Sequence, residues 1–217
     1  KIGSGELTNT PFLRHIASFN KETILSTGMG TLAEIEHAIF VLEDAGLSRD
    51  KISVLHVTTA YPTPMSEVNL KAMLTIGHAF PGVRIGYSDH TLGIEVPIAA
   101  VAMGATIIEK HYTLDKTMEG PDHSASLDPK ELKEMVQAIR NIELALGHGR
   151  KEPTALERLN MKVVRKSLVA SRDISQGEEF TSTMLDILRP GVGISPMRWD
   201  DVVGTKALKD YKQGERI

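Results

Sequence analysis

Two histidines, His90 and His111, are the residues whose type and spacing point most directly to chemistry. Each ends a run of residues that predicts a β-strand, and one predicted helix, over about residues 94–103, separates them. Because adjacent strands lie about 4.8 Å apart, two imidazoles at neighbouring strand ends could bind one divalent ion. Asp89 and Glu109, each close to one histidine in sequence, could orient the rings or bind substrate hydroxyls. A lone histidine is more often structural, so the pairing carries this prediction.

Polar residues also end the other predicted strands. In parallel β/α architecture the carboxyl ends of the strands face one common mouth, where ligands bind. One such residue is more often a helix cap or an ordinary strand end, but repetition over five strands favours a binding site. The residues concerned are Ser4 and Glu6, Ser26 to Gly28, Thr58, Thr59 and Tyr61, Ser88 to His90, and Glu109 to His111.

The segment from Ser26 to Thr31 joins a predicted strand to a predicted helix start. Backbone N–H groups at a helix N-terminus suit a phosphate, and the glycines in this segment would allow close approach. The spacing matches no established nucleotide-binding fingerprint, so an ordinary β/α turn remains the alternative.

Alternating strand and helix patterns position these residues. The sequence predicts strands over residues 1–4, 23–27, 52–58, 83–89 and 106–111. Thr31 and Glu34 predict a capping box at the start of one helix, and Gly46 ends it. Asp128, followed by Pro129, predicts the start of another helix. This regular alternation predicts an α/β fold with a parallel sheet covered by helices.

The last third of the chain has a different pattern. Residues 147–157 are rich in glycine and charge and predict a linker between a first domain, 1–146, and a second, 158–217. The second domain is predicted to be mostly β, with strands at 166–171 and 187–193, a turn at 176–178 and a short helix within 198–210. A module this small has a marginal core of its own, so we expect it to lean on a neighbour.

Composition excludes several functional classes. The 217 residues carry a net charge of -3 and only 5% aromatic residues, which argues against binding to nucleic acid or to an anionic membrane. The absence of cysteine excludes disulfides, thiolate catalysis and zinc–thiolate sites. The first ten residues lack a signal-peptide core, and the longest apolar stretch, 94–108, is too short to span a bilayer. We therefore expect a soluble, cytoplasmic protein.

Several motifs together resemble the sialic acid synthase family, whose members join phosphoenolpyruvate to an N-acetylated aminosugar. The motifs are KIGSGE (1–6), ILSTGM (24–29), AYPTP (60–64), GYSDHTLG (86–93), EKHYTLD (109–115) and GPDHSASLDP (120–129). The tail, with RKSLVASRDISQGE and LRPGVGISP, is similar to the C-terminal antifreeze-like (SAF) domain of that family. The motifs occur in family order over nearly the entire chain.

The resemblance implies a TIM (β/α)8 barrel followed by the SAF domain. The five predicted strands resemble barrel strands four to eight, so the fold expected here is a partial barrel. About a third of a usual family member, with the first three strands and active-site groups that include a carboxylate and basic residues, has no counterpart in this sequence. Five strands alone would leave unpaired edges.

The resemblance also implies a role for individual residues. His90 and His111 match the ligands of a divalent ion, Mn²⁺ or Mg²⁺. Arg189 matches an arginine that reaches the N-acetyl group of the sugar bound by the partner subunit of a domain-swapped homodimer. Thr59 stands where some members have an asparagine near the phosphate; its hydroxyl can still make that hydrogen bond but has a shorter reach. Lys1, Ser4, Ser26 and Ser88 match residues that hold phosphoenolpyruvate. Tyr61, Glu109 and Asp122 match residues around the sugar, and these three are also the catalytic candidates.

The reaction implied is the metal-dependent condensation of phosphoenolpyruvate, N-acetylmannosamine and water to N-acetylneuraminate and phosphate. The alternatives are a synthase for legionaminic or pseudaminic acid, a non-catalytic sugar-binding protein, and a metal-dependent hydrolase. The hydrolase would need a richer metal cluster than the sequence offers. The motifs GPDHSASLDP and GYSDH look more like those of sialic and legionaminic acid synthases than those of pseudaminic acid synthases.

Overall fold

Four parallel strands form the sheet of the first of two units, Lys1–His148 and Gly149–Ile217, into which the chain divides. The computed structural model describes all residues from 1 to 217. The strands pair in chain order, each with its sequence neighbour, as the predicted β–α alternation requires. Their bounds are β1 Thr23–Ser26, β2 Ile52–Val57, β3 Arg84–Asp89 and β4 Ile108–Lys110.

The strand predicted over residues 1–4 is reduced to one bridge. Ile2 pairs with Leu25 of β1: its N–H donates to the carbonyl of Ile24 at 2.7 Å, and its carbonyl accepts from Ser26 at 3.0 Å. The chain then turns into a 3₁₀-helix, Ser4–Glu6. The prediction is wrong beyond Ile2, because the glycines at positions 3 and 5 weaken extended pairing and favour a turn.

Five α-helices connect or flank these strands: α1 Thr10–Ser18, α2 Leu32–Asp44, α3 Lys71–Ala79, α4 Glu95–Ala102 and α5 Pro129–Leu146. The predicted capping box at Thr31 is present, and the helix start predicted at Asp128 is a capping box as well. Thr31 and Glu34 satisfy each other's backbone N–H groups at the start of α2, and Asp128 and Glu131 do so at the start of α5. No helix of the chain combines the length and the apolar character needed to cross a membrane.

The main core lies between the sheet and α2. Ile39 and Leu42 of α2 are fully buried against Leu25 of β1 and Val54 of β2. Full burial of such a side chain contributes about 1.5–3 kcal/mol relative to exposure, so this layer holds the sheet in place.

The sheet is curled. Lys1 precedes Ile2 at one edge of the sheet, and Glu109 lies on β4 at the other edge. In a flat sheet, four strand spacings would separate these segments by roughly 19 Å. Their side chains instead form an ion pair, with Lys1 Nζ 2.8 Å from Glu109 Oε1. The parallel strands therefore form an arc, which confirms the predicted partial barrel.

The second unit contains a small antiparallel sheet, in agreement with the prediction that this domain is mostly β. β5, Ser167–Ala170, pairs with β6, Leu185–Leu188, and two helices accompany them, α6 Ala155–Val164 and α7 Trp199–Val202. Its core centres on Leu168, Ile174 and Phe180.

Three predictions for this unit need correction. The helix predicted within 198–210 is confined to α7, because Gly204 adopts a φ of 84° and the chain then returns to bridges such as Glu179 with Lys206. The strand predicted over 187–193 starts earlier and ends at Leu188, before a Pro/Gly loop. The predicted linker 147–157 is helical in its last three residues, which begin α6.

Candidate active site

A cavity of about 290 Å³ opens at the carboxyl ends of the four strands. Each strand contributes a polar residue at or just after its end, and the 3₁₀-helix at Ser4 closes one side. Nine of the residues singled out in the sequence line this cavity together: Lys1, Ser4, Ser26, Thr59, Tyr61, Ser88, His90, Glu109 and His111.

Strand alternation decides which side chains reach the cavity. Successive side chains of a strand point to opposite faces, so Ser88 and His90 share one face of β3. Both line the cavity, whereas Asp89, between them, pairs with Lys110 on the other face. The expectation that Asp89 orients the His90 ring is therefore wrong, and the carbonyl of Thr58 takes that place.

The two histidine rings face each other at the cavity. Their centroids are 5.2 Å apart and their planes are nearly perpendicular, at 84°. Because His90 Nδ1 lies 2.8 Å from the Thr58 carbonyl, which only accepts, Nδ1 carries the proton and Nε2 keeps its lone pair. Burial lowers the pKa of His90, outweighing the opposing effect of the bond to Thr58. A neutral imidazole with a free Nε2 is what a metal ligand requires.

The donor set fits a divalent ion with two protein ligands. No group of three or more His, Cys, Asp or Glu side chains is placed to hold a metal. The two rings would leave further coordination positions to water or substrate, as catalytic metal sites do. Asp122 Oδ2 lies 3.6 Å from His111 Nδ1, so this carboxylate, rather than Glu109, is the one beside His111.

Tyr61 forms a wall beside the histidines. Its ring centroid lies 4.0 Å from that of His90 and 5.5 Å from that of His111. Burial, followed by the negative charges of Asp122 and Glu109, raises the pKa of Tyr61. The phenol therefore stays protonated and can donate a hydrogen bond into the cavity.

Glu109 is held as a carboxylate. Lys1 Nζ donates to its Oε1 at 2.8 Å, and Ser88 Oγ donates to the same oxygen at 2.7 Å. Burial alone would raise the pKa of Glu109, but the hydrogen bonds from Lys1 and Ser88 outweigh burial, and the pKa is lowered. One cation and one anion therefore lie together at the mouth of the cavity.

Two hydroxyl groups beside β1, those of Ser26 and Ser4, have hydrogen-bonding capacity that the protein does not use. Ser26 Oγ is buried and has no partner within the protein. Ser4 Oγ accepts from Gly28 N–H at 3.0 Å, which leaves its own proton free. A Cβ atom on Gly28 would lie 2.8 Å from Ser4 Oγ and 2.6 Å from Thr59 Cγ2. This tightly packed corner presents hydroxyl donors of the kind that hold an oxyanion.

Two predicted residues lie outside this lining. Asp122 is placed next to His111 and precedes a 3₁₀-helix, His123–Ala125. Arg189 belongs to the second unit, where it follows β6, and its predicted role in binding sugar stays a prediction.

Two residues within the segments singled out in the sequence, Lys110 and Met29, have roles that were not predicted. The sequence predicts Lys110 at the mouth with its neighbours, but period-two alternation turns it to the other face, where it pairs with Asp89. Met29, between two glycines, has a φ of 64° and lines the cavity; the flanking glycines were the signal of an unusual backbone.

The lowered pKa of Glu109 predicts that the stability difference between wild type and Glu109→Gln depends on pH. Since the folded-state pKa lies below the unfolded one, the ionised group stabilises the fold above about pH 4.5 and loses this effect as pH falls through the folded value. The difference in unfolding free energy between wild type and Glu109→Gln, from urea titrations, is expected to shrink on acidification. In a Lys1→Met background this pH dependence should weaken, because Lys1 is one of its causes; a difference independent of pH would contradict the assignment.

Comparison with known proteins identifies two families. Residues 1–151 match the NeuB family and residues 165–217 match the SAF domain. The whole chain is 53% identical to N,N'-diacetyllegionaminic acid synthase of Campylobacter jejuni and 38% identical to pseudaminic acid synthase of the same species, and it spans 65% and 62% of their lengths.

A solved structure superposes on most of this chain. The N-acetylneuraminic acid (sialic acid) synthetase of Leptospira borgpetersenii superposes with a TM-score of 0.67 and 39% identity, over 73% of this chain and 54% of the other. With family matches over both units and relatives named as nonulosonic acid synthases, the chain belongs to the NeuB family and ends in a SAF domain.

Proposed function

We propose that the full-length protein is a nonulosonic acid synthase that condenses phosphoenolpyruvate with an N-acetylated aminosugar. In this reaction C3 of phosphoenolpyruvate bonds to the aldehyde carbon of the sugar, water adds to C2, and the C–O bond to phosphate breaks. The observation that carries the proposal is one cavity that joins anion-binding donors to a pair of imidazoles.

Phosphoenolpyruvate would occupy the side lined by Lys1, Ser4 and Ser26. The ammonium of Lys1 supplies positive charge, and the free protons of the two hydroxyls supply donors already fixed in place. The buried hydroxyl of Ser26, which has no hydrogen-bond partner in the protein, supports this assignment. Such a group lowers the stability of the fold unless a ligand supplies the missing hydrogen bond. The hydroxyl of Thr59 would add a further contact, and Ser88 would add one by turning its donated hydrogen bond from Glu109 to the ligand.

The sugar would occupy the side of the histidines. His90 and His111 would hold Mn²⁺ or Mg²⁺, which when bound supplies Lewis acidity toward the aldehyde oxygen. Tyr61 would cover the sugar and donate from its phenol, and Asp122 would keep His111 oriented. Glu109, ionised and at the mouth, is positioned to accept a proton from the water that adds to C2.

Two sugars are candidates, N-acetylmannosamine and a sugar with two acetamido groups. The second is favoured by the relative at 53% identity, whose product name carries two N-acetyl groups. Phosphoenolpyruvate contains no nitrogen, so both acetamido groups of such a product come from the sugar.

The test is phosphate release by full-length protein from phosphoenolpyruvate, Mn²⁺ and each sugar, with the product identified by mass spectrometry. Release is expected only when phosphoenolpyruvate, metal and an aldehyde sugar are all present. The sugar alcohol obtained by reduction is the matched control, since it has no carbonyl for attack. Sugar binding without phosphate release would instead support the non-catalytic alternative.

We also propose that Arg189 donates to the sugar's amide oxygen in a two-fold dimer, with each tail covering the partner's site. A planar, permanently charged donor in a Pro/Gly loop suits this role. Arg189→Ala is expected to raise the KM for sugar about tenfold and to change the KM for phosphoenolpyruvate little.

At a sugar concentration well below its KM, Arg189→Ala protein keeps about a tenth of wild-type activity, and an equal mixture with His90→Ala protein should reach about a quarter, because half of the dimers are mixed and each assembles one intact site. Failure of this complementation, with subunit exchange shown by mass spectrometry of a labelled chain, would mean that the arginine acts within its own subunit or not at all.

A further inference from the structure

A buried ion pair joins β3 to β4 on the face of the sheet turned away from the cavity. Lys110 Nζ lies 2.6 Å from Asp89 Oδ2, and the two side chains are only 3% and 0% exposed. Neither residue lines the cavity. Because a buried ion pair gives little net stability over a well-packed apolar pair, its presence here calls for a reason other than holding the fold together.

The pair lies one residue before both histidines. Asp89 and Lys110 are the last register partners of the β3–β4 ladder, and His90 and His111 follow them directly. The β3–β4 register ends at this pair, although the histidine rings must converge just beyond it. The ion pair therefore adds a side-chain link at the point where the two histidine-bearing strand ends leave the ladder.

The same network holds the residue after His90. Asp89 accepts from the N–H of Thr91 at 3.1 Å and from its hydroxyl at 3.0 Å, while Lys110 Nζ donates to the carbonyl of Thr91. The backbone on both sides of His90 is thus tied to one lysine of β4. A shift of this lysine would move His90 relative to His111.

We propose, resting on the proposed metal role of the two histidines, that Asp89 and Lys110 are positioning residues that set the separation of the two rings. They touch neither metal nor substrate. Their role is to raise the affinity of the two rings for a divalent ion. The stability of the fold does not depend on this role, because an uncharged pair of side chains at the same two positions should restore it.

The experiment uses the double variant Asp89→Asn/Lys110→Met in the full-length protein. Each single variant leaves a buried group without its partner and should lower the unfolding midpoint, whereas the double variant removes both charges and should recover stability. Mn²⁺ affinity is measured from the electron paramagnetic resonance signal of the unbound ion. The double variant is expected to bind Mn²⁺ about tenfold more weakly, in the range seen when groups behind metal ligands are changed.

The matched control is Asp173→Asn/Lys212→Met, which removes the same atoms from an exposed Lys–Asp pair with a 2.7 Å contact in the second unit. Its Mn²⁺ affinity should equal that of wild type. In steady-state assays the Asp89/Lys110 variant should lose kcat while the KM for phosphoenolpyruvate stays within about twofold.

A stable double variant with wild-type Mn²⁺ affinity would overturn the proposal. If the double variant does not fold, the test uses Thr91→Val, which removes one hydroxyl from the network. This variant is expected to bind Mn²⁺ about threefold more weakly than wild type. An unchanged Mn²⁺ affinity would overturn the proposal. If wild type binds no Mn²⁺, or His90→Ala binds it equally well, the metal role itself fails, an outcome distinct from a failure of the positioning role.

Discussion

Replacing His90 or His111 by alanine is expected to lower kcat/KM for the condensation by about a thousandfold or more, equivalent to roughly 4 kcal/mol of transition-state stabilisation. Each change removes one of only two imidazoles at the cavity, and no group of three or more potential ligands is arranged there to hold a metal without it. The measurement is phosphate release by full-length protein under saturating Mn²⁺, together with Mn²⁺ affinity.

His78→Ala, which removes an exposed histidine from α3, is the control and should behave as wild type. His111→Ala is the cleaner of the two test variants. His90 is buried and donates to the Thr58 carbonyl, so its loss also costs about 1–3 kcal/mol of stability through the unsatisfied acceptor. A folded His111→Ala protein that keeps activity within tenfold of wild type would refute the site.

Gly28→Ala is expected to raise the KM for phosphoenolpyruvate by about 10- to 100-fold. The added methyl would lie 2.6 Å from Thr59 Cγ2 and 2.8 Å from Ser4 Oγ, closer than real contacts allow, so it must displace the hydroxyl corner proposed to hold the phosphate. The residue's φ is not in the left-handed region, so the effect comes from space and not from backbone strain.

Gly5→Ala provides a matched comparison for this substitution. Gly5 lines the same cavity, and a Cβ atom there would meet nothing within 4 Å. Its KM for phosphoenolpyruvate should stay within about threefold of wild type. Equal effects of the two substitutions would show that the phosphate does not bind in the corner formed by Ser4, Gly28 and Thr59.

Features with local causes could be predicted from sequence. The helix starts at Thr31 and Asp128 were found because a capping box is a contact between residues three positions apart. The same signal, Thr154 with Glu157, stands at the start of α6, within a segment whose glycines and charges are otherwise typical of a linker. Its T-x-x-E pattern was sufficient to find that helix.

Features that depend on strand faces and curvature were harder to predict. The convergence of His90 and His111 followed from their place at neighbouring strand ends, and the structure brings them together. Proximity in sequence suggests that Asp89 acts on His90, but alternation along the strand turns Asp89 to the opposite face, where it pairs with Lys110. The contact of Lys1 with Glu109 could not be read from spacing at all, since it exists only because the sheet curls.

That contact also sets an order for folding. Lys1 and Glu109 are 108 positions apart, whereas every strand of the sheet pairs with its immediate successor in the chain. The sheet can therefore grow by short-range steps, one β/α unit after another, and the ion pair forms only once the whole arc exists. We expect such a late contact to be absent from the folding transition state, so that Lys1→Met accelerates unfolding and leaves the folding rate nearly unchanged in stopped-flow measurements. On this view the mouth of the cavity closes after the rest of the arc has formed.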